Sequence, residues 1–341
     1  MTKKVVGFGE ILLRLSPPNY LKLIQTDTLS ANYTGAEANS LVSLSRFGYD
    51  TELVTKLPKN EVAECAVATL KKYDVGTGRI VYGGDRLGTY YSEKGASQRP
   101  SKVIYDRKYS SISMAQSSDF DWDAILDGAD ALLFTGITAA LGEELPAICM
   151  DACIAAKKKG MTVFCDLNFR KKLWSEEKAQ TVMCALMPYV DVVLGNEEDS
   201  EKVLGIKPEH SDVVSGELSR EDYKSVAEEI CSRFGCSRVA FTLRKSISAN
   251  DNVWSGMLYE NGNAEFSRSY NMHIVDRMGG GDSFGAGIIY ATLEGMNTAD
   301  SIEFAAASSC LKHSIELDFN LSTLEDVRQL LSGDGSGRIQ R

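Results

Sequence analysis

The 341-residue chain is poor in histidine, with three, and poor in proline, with seven; its eight cysteines never fall in a C-x-x-C pair. Those counts argue against a zinc site, which draws on clustered cysteine and histidine. The eight are Cys65, Cys149, Cys153, Cys165, Cys184, Cys231, Cys236 and Cys310, and several of them stand inside apolar periodic runs, where they read as small core residues. No apolar stretch is long enough to span a bilayer. The opening Met-Thr-Lys-Lys-Val-Val-Gly-Phe-Gly-Glu has no long apolar run before Glu10 and Arg14, so no signal peptide is expected. Together these features point to the reducing cytoplasm. There is no block of basic residues and the net charge is -10, which disfavours nucleic-acid and membrane partners while leaving room for a local anion pocket. The Walker pattern G-x-x-x-x-G-K-[ST] is missing, which excludes a P-loop kinase. Gly7-Phe-Gly9 lacks the third glycine of the dinucleotide fingerprint, because position 12 is leucine, and a dehydrogenase is disfavoured in turn.

What is present is ordinary for a globular protein: 43% hydrophobic and 25% charged residues. The length suits one large α/β domain, or a main domain with a small appendage. Val5 to Phe8 and Ile11 to Leu15 read as short strands, the second stopped by Pro17-Pro18. Gly35 opens a helical run to Phe47, with Ala38, Leu41, Val42 and Ser45 on one face and Gly48 at the stop. Thr51 to Leu57 reads as a strand and Asn60 to Lys72 as a helix. Residues 79–106 are rich in glycine, tyrosine and β-formers and read as a small flap of strands, joined by the strand near Ile11.

From Ala129 strand and helix take turns: strands at 131–134, 162–165, 190–194 and 239–243, helices at 143–159, 175–187, 197–204 and 221–234. That alternation implies βαβ units and a mainly parallel sheet covered on both faces. Val253 to Tyr259 and Ala264 to Tyr270, separated by Glu-Asn-Gly-Asn, read as an edge hairpin. Helices follow at 282–294, 298–315 and 323–331. A polar loop is expected over 210–220 and a disordered Gly/Ser-rich tail over 333–341, with 1–332 forming a single domain.

The strongest chemical signal is Asp276-Arg-Met-Gly279-Gly280-Gly281-Asp282-Ser-Phe, followed by a helical run. Three glycines without Cβ atoms let a ligand approach the backbone, and at a helix start their free N–H groups suit a phosphate. Asp282 lies at the same terminus, where the helix dipole is expected to keep it ionised and ready to accept a hydroxyl proton. The plain alternative is a flexible turn with an aspartate N-cap. Gly35 to Asn39 likewise combine close backbone approach with an amide that can bind sugar hydroxyls, or simply cap a helix. Arg170 follows a strand end, the edge where open α/β sheets bind ligands, and can stabilise charge in phosphoryl transfer; the alternative is a surface ion pair. Tyr90, Tyr105 and Arg107 fall in the flap, where cross-strand pairing is the plain reading.

Asp276 to Phe284 resembles the signature of the PfkB (ribokinase-like) carbohydrate kinases. So do Gly35-Ala36-Glu37-Ala38-Asn39, the opening Val-Val-Gly-Phe-Gly-Glu-Ile-Leu-Leu-Arg-Leu-Ser, and Asp166-Leu-Asn168-Phe-Arg170, in family order from about residue 5 to 320. Within the family the likeness is greatest to 2-keto-3-deoxygluconate (KDG) kinases, through Asp-Arg-Met-Gly-Gly-Gly-Asp and Lys312-His-Ser-Ile-Glu-Leu-Asp318-Phe-Asn.

The resemblance implies a three-layer αβα sandwich with a β-strand lid built from about 11–16 and 79–107. It implies an ATP-dependent kinase that converts KDG to its 6-phosphate, with Asp282 as base, Gly279 to Gly281 as anion hole and Arg170 stabilising charge. Gly35, Ala36, Asn39, Tyr90, Tyr105, Arg107, Arg170, Asp282 and Asp318 would bind the sugar acid, Arg107 gripping its carboxylate bidentately. Asn168, Asn196, Thr242, Arg244 and the glycine backbone would face the nucleotide, with adenine near Ala305 to Ser309. Magnesium is implied, and a monovalent cation is an open addition. The family's N-x-x-E motif stands here as Asn196-Glu197-Glu198-Asp199, so Asp199 or Glu198 would reach magnesium through water. The alternatives are a family kinase of another substrate (fructose, ribose, tagatose phosphate or a nucleoside) and a non-catalytic sugar-binding regulator. The lid's edge strands offer a surface for self-association.

Overall fold

The computed structural model describes residues 2–208 and 219–333. The loop expected over 210–220 thus falls mostly outside the described residues, as does the tail after Gly333. In the first third the strands are β1 (Lys4–Phe8), β2 (Leu12–Ser16), β3 (Ser30–Thr34), β4 (Asp50–Val54), β5 (Lys56–Leu57), β6 (Val75–Gly76), β7 (Val81–Tyr82), β8 (Thr89–Glu93) and β9 (Lys102–Asp106). Then come β10 (Ala131–Thr135), β11 (Thr162–Asp166), β12 (Val192–Gly195), β13 (Arg238–Ser246), β14 (Asp251–Glu260), β15 (Asn263–Phe266) and β16 (Tyr270–His273). The helices are α1 (Ala36–Arg46), α2 (Glu61–Lys72), α3 (Trp122–Ile125), α4 (Gly136–Ala140), α5 (Leu145–Lys158) and α6 (Glu176–Leu186). After them come α7 (Glu197–Asp199), α8 (Arg220–Phe234), α9 (Gly280–Leu293), α10 (Thr298–Lys312) and α11 (Leu324–Leu331).

The main sheet runs β15-β14-β13-β12-β11-β10-β1-β4-β6, with β16 also on β14. It is parallel from β6 to β13 and antiparallel beyond. Its inner strands β1, β10, β11 and β12 are apolar along most of their length because both faces are covered. Val6, Leu132, Phe134, Val163 and Val239 point into one core, with α5, α6 and α8. Val5, Ala131, Leu133, Phe164 and Ala240 point into the other, with α1, α2, α9 and α10. Adjacent residues of a strand thus serve opposite layers, and continuous apolar runs stand where a half-exposed sheet would alternate in polarity. This is the three-layer αβα architecture.

β1 lies between β4, which follows it in the chain, and β10, which is reached only after the lid. The connections leave β1 in opposite directions, and at such a switch the carboxyl ends of the strands open a crevice. A second sheet, β3-β2-β8-β9, stands over that edge. The sequence reading omitted β3, whose Ser-Ala-Asn-Tyr-Thr has no run of apolar residues; it forms because β2 offers it an antiparallel edge. Val81–Tyr82, placed by that reading in the flap, pairs with β5 instead.

Two more differences are local. The expected helix at 197–204 is a turn of α-helix followed by π-helix over Ser200–Leu204, ending at Gly205 in the left-handed region. Asn261-Gly262, with φ 51° and 84°, makes the two-residue hairpin turn between β14 and β15. All eight cysteines are free thiols.

α9 is the central helix, apolar on nearly all sides. Its Gly287 lets α10 approach closely: a Cβ there would stand 2.6 Å from the Cα of Ala305. Gly287→Leu should therefore overpack this contact and lower stability by about 1–3 kcal/mol, read as a lower denaturant midpoint at unchanged m-value.

Candidate active site

The cleft at the carboxyl edge is lined from below by Glu10, Asp166, Asn168, Arg170, Asn196, Thr242 and Arg244. Gly279 to Asp282 form one wall, and Thr34, Tyr90, Tyr105 and Arg107 of the lid region the other. Gly35, Ala36, Asn39, Glu198, Asp199 and Asp318 also line it. Apart from the adenine-side stretch Ala305 to Ser309, the residues expected from the sequence are thus brought to one cavity from distant parts of the chain.

The three glycines differ. Gly279 has φ 80°, the left-handed region, and a Cβ there would strike the carbonyl oxygen of Asp318. A Cβ on Gly280 would strike the ring of His313. Gly281 meets nothing within 4 Å and is exposed, so its backbone alone is left open to a ligand.

Asp282 sits in the first turn of α9, half-buried at the cleft floor. Its Oδ2 accepts a hydrogen bond from Asn39 Nδ2 at 2.6 Å, and Asn39 Oδ1 accepts one from Thr34 Oγ1 at 2.7 Å. Ser40 Oγ ties down its main-chain oxygen at 3.0 Å. The expectation that the dipole keeps Asp282 fully ionised needs correction. Burial raises its pKa to about 7, against the Asn39 bond and the Arg170 charge, while Asp318 and Glu37 push the same way as burial. Loss of solvent outweighs a helix end, whose effect is modest. Burial also raises Asp166 well above the ordinary carboxyl range, helped by Asp199 and Asp282, and brings Asp199 to about 6.

Under the lid lies a charge cluster that sequence reasoning missed. Arg14, from β2, is fully buried; its Nη2 meets Asp276 at 2.9 Å, its Nη1 bonds Asp318, and its Nε donates to Ser16 at 2.9 Å. Burial alone would lower the guanidinium pKa, but Asp318 and Asp276 hold it above its ordinary value. Tyr90 donates its hydroxyl to Asp318 Oδ1 at 2.7 Å. The signal was available: in β2 the inward positions are 12, 14 and 16, so an arginine occupies a buried register.

Several expected contacts are revised. Tyr90 spends its hydroxyl on Asp318, leaving its ring, 5.7 Å from that of Tyr105, to face the cleft. Arg107 does not present a free fork. Its Nε donates to Glu10 Oε2 at 2.8 Å and its Nη2 to the same oxygen, with the guanidinium over Tyr105 at 5.0 Å. A bidentate grip would first have to displace Glu10. Ala305 to Ser309 do not reach the cleft: all are fully buried in α10, Ser309 donating to the Gly280 carbonyl at 2.7 Å. Trp254, its ring tilted against that of His313 at 5.0 Å, is the aromatic side chain at that end. Arg170 makes no ion pair among the described residues and bonds only the Phe169 carbonyl, at 3.0 Å. Arg277, not considered from sequence, lines the cleft near Arg244, and burial followed by the Arg244 charge lowers its pKa. Asn196 caps α7 by accepting from Asp199 N at 2.8 Å, and Asp199 Oδ1 accepts from Phe169 N at 2.9 Å. Glu37, in the N-terminal glycine motif, is buried and accepts from Thr135 at 2.8 Å and Thr138 at 2.6 Å.

The model of the pfkB family of carbohydrate kinases matches residues 2–314. The chain belongs to the pfkB family. Among its relatives, this pfkB-family kinase is 51% identical to the 2-dehydro-3-deoxygluconokinase of Thermotoga maritima, whose crystal structure superposes with a TM-score of 0.94 over 98% of this chain and 99% of that one. It is 29% identical over 339 residues to the 2-dehydro-3-deoxygalactonokinase of Haloferax volcanii, covering 99% of each. To the 2-dehydro-3-deoxygluconokinase of Bacillus subtilis it is 25% identical, over 97% of this chain and 96% of that one.

The kinase's glycines and Asp282 give two expectations. Gly281→Ala should leave the melting temperature near wild type, whereas Gly279→Ala, which meets both the φ constraint and the Asp318 carbonyl, should lower it by several degrees. With Asp282 near 7 in the free protein, kcat/KM should rise with pH through about 7 as the carboxylate loses its proton. Asn39→Leu removes a donor that favours the ionised form, so the acid limb should move to higher pH; pH–rate profiles of both proteins check this.

Proposed function

We propose that this kinase transfers the γ-phosphoryl group of ATP to the terminal hydroxyl of 2-keto-3-deoxygluconate, giving the 6-phosphate. The observation that carries the reading is Asp282: a carboxylate with pKa near 7, held by Asn39 beside the open backbone of Gly281. Asp282 accepts the proton of the attacking hydroxyl. The open amide of Gly281 and the unpaired Arg170 stabilise charge on the transferring group. Gly35, Ala36 and Asn39 position the hydroxyl beneath the lid. The rings of Tyr90 and Tyr105 cover the carbon skeleton, and Asp318 orients hydroxyls from within its pair with Arg14. Arg107 offers its remaining Nη1 edge to the substrate carboxylate. Asn168, Asn196, Thr242 and Arg244 face the nucleotide.

Magnesium fits the donor set. Asp166 and Asp199 are carboxylates at the cleft, both shifted upward by burial against the Arg170 charge, and oxygen donors of this kind suit a divalent ion. Among the described residues no group of three or more acidic, histidine or cysteine side chains converges to hold a metal directly. Asp166, Asp199 or Glu198 would therefore hold a hydrated ion that arrives with the nucleotide. Bound there, magnesium neutralises charge on the β and γ oxygens.

The substrate reading draws on the relatives named for 2-dehydro-3-deoxygluconate and its galacto epimer. A coupled ADP-release assay over 2-keto-3-deoxygluconate, 2-keto-3-deoxygalactonate, fructose, ribose, tagatose 6-phosphate and a nucleoside decides it. The gluconate-derived acid should give the highest kcat/KM, and a neutral sugar in first place would reject the proposal. No ADP release with any of them would favour a sugar-binding regulator. Asp282→Asn should lower kcat by ~10²–10⁴-fold while sugar binding by calorimetry stays near wild type. Arg107→Ala should raise KM for the sugar acid far more than for a neutral sugar.

Free thiols throughout fit a reducing cytoplasm, and no helix among the described residues is long and apolar enough to cross a membrane.

A further inference from the structure

Lys312 is among the largest side chains with no solvent exposure. An ammonium removed from water keeps its charge only where dipoles or charges replace its hydration. Lys312 ends α10, and its Nζ donates to the carbonyl oxygens of Asp276, at 3.3 Å, and Ile315, at 3.2 Å. The first carbonyl opens the glycine loop. The second lies in the turn that leads to Asp318, whose own carbonyl oxygen lies against Gly279. The ammonium is therefore bonded to both segments beneath the anion hole. Burial lowers its pKa to about 8, with the Asp276 and Asp318 carboxylates opposing. No step of the proposed reaction uses Lys312.

A monovalent cation beside the glycine loop would need oxygen ligands of this kind, main-chain carbonyls with a carboxylate. Here those oxygens already have partners. The Asp276 carbonyl and that of Ile315 accept from Lys312. The Asp276 carboxylate accepts from Arg14 at 2.9 Å, Met278 N at 3.2 Å and Leu317 N at 3.2 Å. We propose that Lys312 is the built-in counterpart of a monovalent cation: its ammonium supplies the positive charge beneath the glycine loop, and the kinase needs no added K⁺, Na⁺ or NH₄⁺. Lys312 is a positioning residue. It holds the Asp276 and Ile315 segments together and so fixes the glycine loop that presents the open backbone of Gly281. The inference rests on membership of the kinase family and not on the identity of the sugar.

The test measures turnover of the full chain with magnesium and ATP, using whichever sugar of the panel it accepts best. A failed substrate assignment then leaves this comparison intact. Chloride salts of tetramethylammonium, potassium, sodium and ammonium are compared at equal ionic strength, with all other components free of small monovalent cations. Wild-type kcat should agree across the four within about twofold, given that only loss of transition-state stabilisation would separate them. A tenfold or greater loss in tetramethylammonium that potassium restores would overturn the proposal. Lys312→Ala in tetramethylammonium chloride should lower kcat by roughly 10²-fold, with smaller changes in both KM values. Ammonium or methylammonium, small enough for the space left, should return part of that loss, and tetramethylammonium should not. Wild-type kcat in Lys312→Ala without small cations would equally overturn it. Should that variant fail to fold, the wild-type salt comparison still decides.

Discussion

A guanidinium sealed from water, Arg14, must keep both of its carboxylates, and that requirement governs how the lid meets the body. Arg14 comes from the lid; Asp276 and Asp318 come from the loops around α9 and α10. Breaking one partner from such a buried pair leaves an uncompensated charge, at a cost of about 3–5 kcal/mol. The lid sheet has one heavily exposed strand, β9, and little core of its own. Ionic and hydrogen-bonded anchoring therefore does what apolar packing does elsewhere in the molecule. Tyr90 joins the same cluster from β8, so two lid strands are fastened at one point. The tyrosines and Arg107 are held over the cleft as a result.

The site concentrates carboxylates (Glu10, Glu37, Asp166, Asp199, Asp282 and Asp318) in a protein of net charge -10 that is proposed to bind two anions. The conflict is resolved by position. The deeper acids are paired, as Glu10 is with Arg107 and Asp318 with Arg14, or sheltered, as Glu37 is by two threonines. Arg170, Arg244 and Arg277 make no ion pairs among the described residues and line the cleft wall. These three guanidinium groups give that part of the cleft a cationic face, which is how an acidic protein can still attract a polyanion.

Much of this was legible in the sequence, for physical reasons. Regular strand–helix alternation after residue 129 leaves few packings other than a covered parallel sheet, and three glycines before an amphipathic run mark a helix start with open amides. What escaped was nonlocal. Strand β3 has no apolar period and exists because β2 provides an edge. Arg14 and Lys312 look like surface residues until the partners hundreds of positions or one turn away are known. Arg107 was read as free because Glu10, 97 positions earlier, could not be placed beside it. The acidity of Asp282 was misjudged because the helix end is visible in sequence and the solvent it loses is not.

Thr34 ends a roof strand one residue before Gly35, and its hydroxyl orients the Asn39 amide that serves Asp282. Movement of that strand would free the amide to turn, and a carboxyl group deprived of its donor holds its proton more tightly. The proposed base is thus readiest to take a proton when the roof is seated.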